Sequence, residues 1–218
     1  MLAINQRDKA LMVRMNRALA KNTEAARKLE FDKWNAAGRP GEELNAVQEK
    51  ILTLPTATMT TLSFKNNPLF EKMNKEWMHE TFPQKLGANK TITFLDLSAL
   101  ELSDDFAFAF AEHCLKPDTN LERINLSRNS FSGKGLTAIA NKMGATGLHR
   151  IKLTTQRKGF ATITITQAAE EAVAEACKVS ESLSTCNLDW RTAFLQKAAE
   201  RELMTNIREA RYARMKGH

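Results

Sequence analysis

Residues 121–129 read Leu121-Glu122-Arg123-Ile124-Asn125-Leu126-Ser127-Arg128-Asn129, apolar at positions one, four and six and closed by an asparagine at position nine. The apolar spacing returns four more times: Met59, Leu62 and Phe64; Ile92, Leu95 and Leu97; Leu148, Ile151 and Leu153; Leu183, Cys186 and Leu188. Successive starts lie 33, 29, 27 and 35 residues apart. A period of that size marks a stack of supersecondary units. Side chains alternate along a strand, so positions four and six face the same way, into the core. One such unit cannot bury its apolar face alone, whereas stacked units share a continuous core. At position nine an asparagine can pair backbone groups of the loop that have no ladder partner. Asn129 and Asn67 hold that position and Gln156 substitutes for it, while Leu100 and Arg191 leave the ladder incomplete.

Helical spacing follows each strand. Leu136, Ile139, Ala140 and Met143, after Gly133 and Gly135, form an i, i+3, i+4, i+7 stripe. Ala107, Phe110, Ala111 and Cys114 repeat it, as do Ala169, Ala172, Val173 and Ala176, and the first unit offers Leu69, Met73 and Trp77. These residues are expected in the core, together with Cys114 and Cys186, since a buried free cysteine behaves as a small hydrophobe. The stretch 157–166 lengthens the fourth unit, and Phe160, Ile163 and Ile165 suit a short extra strand or a packed loop. Residues 192–215 predict a closing helix with Leu195, Ala199, Leu203 and Ile207 on its inner face, which caps an otherwise exposed core end. The chain is thus expected to be an α/β solenoid of about five strand–helix units. It comprises an N-terminal amphipathic arm and linker over 1–41, then a repeat domain with capping helices over 42–218.

Residues 5–36 predict one amphipathic helix, with Leu11, Met15, Ala18, Ala26 and Leu29 on a narrow apolar face that Asn22 interrupts. Gly38-Arg39-Pro40-Gly41 breaks it, and a short helix over about 42–52 leads to the first strand. Folding back on the repeats, docking in a partner's groove through Leu11, Arg14, Met15 and Leu19, and lying on a membrane surface all remain open for the arm. Residues 1–36 carry eight basic and four acidic residues. Asp8, Glu24, Glu30 and Asp32 argue against a mitochondrial transit peptide, because such peptides are poor in acids.

The formal charge of +7 favours acidic partners without singling one out. Three cysteines without regular spacing give no disulfide framework. With the four histidines they give no metal-ligand pattern. No apolar run approaches a membrane span. No phosphate loop, dinucleotide fingerprint, zinc-protease motif or nucleophile elbow is present. Gly133-Lys134-Gly135 reads as a loop-to-helix turn, and Asp104-Asp105 after Ser103 as negative charge favoured at a helix N-terminus. His113 and Cys114 are neighbours on a helix and point apart. A non-catalytic protein with no cofactor and no metal is expected.

Positions three and five of each strand line the concave face, where solenoids bind partners. They are Thr61 and Ser63, Phe94 and Asp96, Arg123 and Asn125, Arg150 and Lys152, Thr185 and Asn187. Arg123, Asn125, Arg150 and Lys152, with Arg128 nearby, form a basic centre, read either as a solvated polar face or as a site for an acidic partner. Arg208, Arg211 and Arg214 on the closing helix are a further candidate contact.

The units resemble leucine-rich repeats of the ribonuclease-inhibitor type. Several features make residues 59–218 similar to the C-terminal domain of tropomodulin and leiomodin: Asn89-Lys90-Thr91, Phe108-Ala109-Phe110-Ala111-Glu112, 121–129, Ser132-Gly133-Lys134-Gly135, Gln156-Arg157, and the basic helix after Trp190-Arg191. The resemblance implies binding of actin, and of other proteins, without catalysis. Residues 1–58 depart from that family's acidic, disordered N-terminal half with its tropomyosin- and actin-binding segments. The expected role is a protein-binding adaptor in a cytoskeletal assembly, actin-associated or ciliary and axonemal. The alternatives are a tropomodulin-like pointed-end regulator and an RNA-associated subunit of a large complex.

Overall fold

A computed structural model describes residues 46–71 and 73–216. The arm candidates Leu11, Arg14, Met15 and Leu19 lie outside the described residues.

All five repeat strands form where the spacing puts them. They are β1 (Thr61–Ser63), β2 (Phe94–Asp96), β3 (Arg123–Asn125), β4 (Arg150–Lys152) and β7 (Thr185–Asn187). They pair in parallel in that order, and each register joins equivalent positions: Leu62, Leu95, Ile124, Ile151 and Cys186 lie side by side. Those five and their position-six neighbours Phe64, Leu97, Leu126, Leu153 and Leu188 are buried. The helices α1 (Ala46–Thr53), α2 (Pro68–Glu71), α3 (Phe82–Ala88), α4 (Asp104–Cys114), α5 (Gly133–Met143), α6 (Gln167–Val179) and α7 (Ala193–Lys216) complete the units and close both ends. Helix α1 and the 3₁₀ turn Leu54–Thr56 after it bury Val47, Ile51 and Leu54, forming the N-terminal cap of the described unit. Cys114, Cys177 and Cys186 are free and buried, and burial pushes the Cys114 thiol well up.

Side chains borrowed across repeats hold the turns. Asn129 is fully buried. Its Oδ1 accepts from Leu100 N (3.1 Å) and Leu102 N (3.3 Å), and its Nδ2 donates to Leu97 O (2.9 Å) and Leu126 O (3.0 Å). Gln156 takes the same role one unit on, donating to Leu126 O and Leu153 O and accepting from Phe131 N. Asn67 does not join this ladder. Its Oδ1 accepts from Leu69 N and Phe70 N and caps α2. Asn89, just before the second strand unit, is a clamp the nine-residue pattern does not contain. It donates to Leu54 O and Ala57 O and accepts from Thr91 N and Ile92 N. Position eight is left-handed in four units, at Asn66, Ala99, Arg128 and Thr155, with φ of 51–59°. That conformation costs a non-glycine residue about 1–2 kcal/mol. It turns the N–H of Asn66, Ala99 and Arg128 onto the carbonyls of Ser98, Ser127 and Thr154 in the next repeat, and the Thr155 N–H onto the Asp189 carboxylate.

The helix stripes fill the core except at two positions. Ala172 is half-buried, with Cys177 buried on the same helix. Leu69 is 40% exposed and Phe70 is buried instead. The cause is the Asn67 cap, which starts α2 at Pro68 and sets its phase. Phe70 belongs to an aromatic run through Phe64, Phe82, Phe106 and Phe110, with ring centroids 5.1–6.2 Å apart. Phe160 is fully exposed rather than packed. Residues 157–166 form a hairpin of β5 (Arg157–Lys158) and β6 (Ala161–Thr162) with Gly159 at φ 60° in its turn, and Phe160 sits at the tip while Ile165 reaches the core.

Gly133 and Gly135 serve close packing. A Cβ on Gly133 would meet Thr166 Oγ1 at 2.4 Å, and one on Gly135 would meet Asp104 Oδ1 at 2.4 Å. Asp104 is not left as a bare helix-terminal charge, because its carboxylate accepts from Ser132 N (2.8 Å) and Ser132 Oγ (2.5 Å) in the next unit.

Candidate binding surface

The concave strip is set by register. Parallel strands lie about 4.8 Å apart, so the pairing of Arg123 with Arg150, and of Asn125 with Lys152, puts three cations on two adjoining strands. Arg123, Arg150 and Lys152 are exposed. Among the described residues the ion pairs are Lys90–Asp118, Lys142–Glu112 and Lys178–Glu175, and none uses a concave-face cation. The Arg123 guanidinium lies over its register neighbour Phe94, 5.3 Å from the ring centroid, which fixes its orientation.

Two residues of the expected set behave differently. Asn125 is half-buried, and its Oδ1 accepts from Ser127 N and Ser127 Oγ. Asp96 does the same for Ser98 one repeat earlier. The Asn125 Oδ1 is thus engaged in the turn. Arg128 is exposed but lies at the opposite edge of the sheet. It lines a recess with Ala99, Glu101, Arg157 and the hairpin tip.

At the N-terminal edge of the strands the concave arginines meet the closing helix. Asn206 of α7 donates to Ser180 O (2.7 Å) and Leu183 O (2.8 Å), pinning the helix to the loop before β7. Ala199 and Leu203 are buried under it, Leu195 and Ile207 are half-buried, and residues 208–216 are exposed. Between this helix and the sheet edge runs an open groove of about 770 Å³ whose lining includes Arg123, Arg150, Arg211 and Arg214. Its floor is ordered: Ser182 Oγ donates to Thr146 O and Leu148 O, and His149 Nδ1 pairs with Ser182 O at 3.0 Å. Arg208 is on another face of α7, beside Tyr212 and Lys216. Of the two basic groups seen separately in the sequence, Arg123, Arg150, Arg211 and Arg214 come together here, while Lys152, Asn125, Arg128 and Arg208 do not line the groove. The signal that could have joined them is the spacing of Ile207, Ala210, Arg211 and Arg214, which continues one face of the helix.

The far end of this face depends on Glu170. Its carboxylate is 1% exposed and accepts from the backbone of Arg191 and from Thr192 N. Burial works to raise its pKa, but those hydrogen bonds and the Arg191 charge outweigh it and hold the carboxyl below its ordinary value. Arg191, where the ladder lacks an asparagine, is thus served by an acid from the preceding helix.

No group of three or more His, Cys, Asp or Glu among the described residues could hold a metal ion. No helix among them is long and apolar enough to cross a membrane.

A parallel sheet on the concave side, helices on the convex side and an asparagine–glutamine ladder define the leucine-rich-repeat solenoid class. Solved structures that share the fold include the following two. Leiomodin-1 actin-binding site 2 superposes with a TM-score of 0.70 at 21% identity, covering 80% of this chain and 97% of that one. The tropomodulin C-terminal domain of Caenorhabditis elegans gives 0.65 at 17% identity, covering 78% and 99%. No protein-family model and no curated relative matches the chain.

Proposed function

We propose that this chain is a non-catalytic, protein-binding leucine-rich-repeat domain that works in an actin-associated, cytoskeletal setting. The observation that carries the reading is the run of exposed arginines from β3 and β4 onto α7, none of which forms an ion pair among the described residues. It is open and suited to a carboxylate-bearing protein surface. The likeness to a domain described as an actin-binding site supports actin as the first partner to test. The finer alternative is pointed-end regulation of the tropomodulin kind. The ciliary and RNA-associated readings, and membership of a larger assembly, draw no support from the two likenesses.

The test is cosedimentation with actin filaments across a salt series, beside elongation measured at pointed ends with barbed ends blocked. Salt-sensitive cosedimentation that is lost in R123E/R150E, with an unchanged melting curve, is expected. Absence of cosedimentation at low salt removes actin and leaves a binding domain for another protein. Cosedimentation without any effect on elongation removes the pointed-end alternative.

A further inference from the structure

The groove between the sheet edge and α7 has features that narrow its occupant. Four guanidinium groups line it: Arg123 and Arg150 in register on neighbouring strands, and Arg211 and Arg214 one helical turn apart. Arg side chains favour carboxylates and phosphates because their planar fork donates two parallel hydrogen bonds. Two further features decide between those anions. Glu122 and Glu181 also line the groove, and Ile207 and Ala210 give its helical wall an apolar strip. A polyphosphate or nucleic-acid backbone, with charge at every unit and no apolar side chain, is opposed by both carboxylates and gains nothing from the strip. A polypeptide carries its charge on separate side chains, so it can place carboxylates against the arginines of both walls, keep uncharged residues beside Glu122 and Glu181, and lay small apolar side chains on the strip. An extended chain presents side chains to both walls because successive residues face opposite ways.

We infer that this groove is a docking site for an extended, acidic segment of a partner protein, with Arg123 and Arg150 reading carboxylates from the sheet side and Arg211 and Arg214 from the helix side. The inference deepens the protein-binding reading and does not depend on actin. The floor hydrogen bonds of Ser182 and His149 and the Asn206 clamp pre-form the site, which lowers the ordering cost on binding.

The experiment is fluorescence anisotropy of the full chain with a labelled twelve-residue peptide of repeated Glu-Glu-Ala-Ala, which when extended carries carboxylates and methyl groups on both faces. Tripolyphosphate and vesicles of phosphatidylserine and phosphatidylcholine are the competing probes. The peptide is expected to bind at low salt, to weaken as salt rises, and to lose about ten-fold or more in affinity in R150E/R211E. The charge-matched control K134E/K178E, on the convex helices, keeps the wild-type value. R150Q/R211Q gives an intermediate loss and guards against a folding defect, with circular dichroism melts as the check. Three results overturn the inference: no peptide binding at low salt, equal loss in the control, or tripolyphosphate or vesicles binding at the groove more tightly than the peptide. Actin cosedimentation insensitive to R150E/R211E, with no peptide binding, would discard the groove and leave the protein-binding reading standing.

Discussion

Replacing Asn129 with alanine removes four hydrogen bonds at once from a site water does not reach. Leu100 N, Leu102 N and Leu97 O lose the partner they have within 3.3 Å, while Leu126 O keeps the Gln156 amide as its second donor. A buried peptide group left unpaired costs about 1–3 kcal/mol. The three do not add fully, because a water entering the vacated space can recover part of the loss. A net destabilisation of about 3–5 kcal/mol follows. That is a large fraction of the roughly 5–15 kcal/mol that separates a folded domain from its unfolded chain. For a chain of this size it lowers the melting temperature by roughly 6–20 °C. The assay is urea unfolding followed by circular dichroism, with the slope of the transition monitored so that loss of cooperativity is not mistaken for loss of stability. Asn67→Ala is the internal control. It removes a cap on the partly exposed start of α2 and should cost about 1 kcal/mol. If Asn129→Ala costs under about 1 kcal/mol, or no more than Asn67→Ala, the ladder does not hold the turns and the argument fails.

Other substitutions probe different parts of the same reasoning. Glu170→Gln should be most damaging at neutral pH. The folded carboxyl titrates below its ordinary value, so its stabilisation is full above the ordinary carboxylate range and disappears as pH falls through it to the folded pKa. The gap between wild-type and variant urea midpoints should therefore close on acidification; a gap independent of pH would count against a charged Glu170. Gly87→Ala places a Cβ 2.2 Å from the His113 carbonyl oxygen, a backbone atom, and should cost about 1–3 kcal/mol. Gly147→Ala meets nothing within 4 Å and should be neutral or slightly stabilising in the same unfolding series. Phe160→Ser should change stability by no more than about 0.5 kcal/mol, because its ring is fully exposed, whereas Phe110→Ala should cost about 3–5 kcal/mol.

The strands and their register were legible because burial imposes a strict alternation on short segments, and Leu121 to Asn129 displays it without interruption. The first unit was harder to read. Leu69 and Phe70 are both apolar, and the choice between them depends on where Asn67 starts the helix, a one-residue shift that periodicity does not resolve. Phe160 misled for a related reason: an aromatic inside an apolar run predicts burial, but Gly159 turns the chain and carries the ring to a tip. The aromatic run from Phe64 to Phe110 joins rings from separate units, so no local window contains it. The groove shares that property. Arg150 and Arg211 are candidate contacts on separate elements in sequence, and the Asn206 clamp together with the burial of Ala199 and Leu203 brings those elements together. The position of Asn125 on the strip is legible, whereas the bonds its Oδ1 accepts from Ser127 depend on the turn geometry.

The interlocking of neighbours bears on how such a chain can change over generations. Asn129 is encoded with the third repeat but completes the turn of the second, Gln156 of the fourth completes the third, and Glu170 of the fourth holds the turn that follows the fifth strand. A duplication or deletion cut at the strand boundary would separate each of these side chains from the backbone it serves. Repeat number can therefore drift only through breaks that keep donor and recipient together; the 157–162 hairpin is tied to the third unit at its base, where Arg157 bonds Asn129 O and Ser130, so only its tip at Gly159 and Phe160 is free to lengthen or shrink.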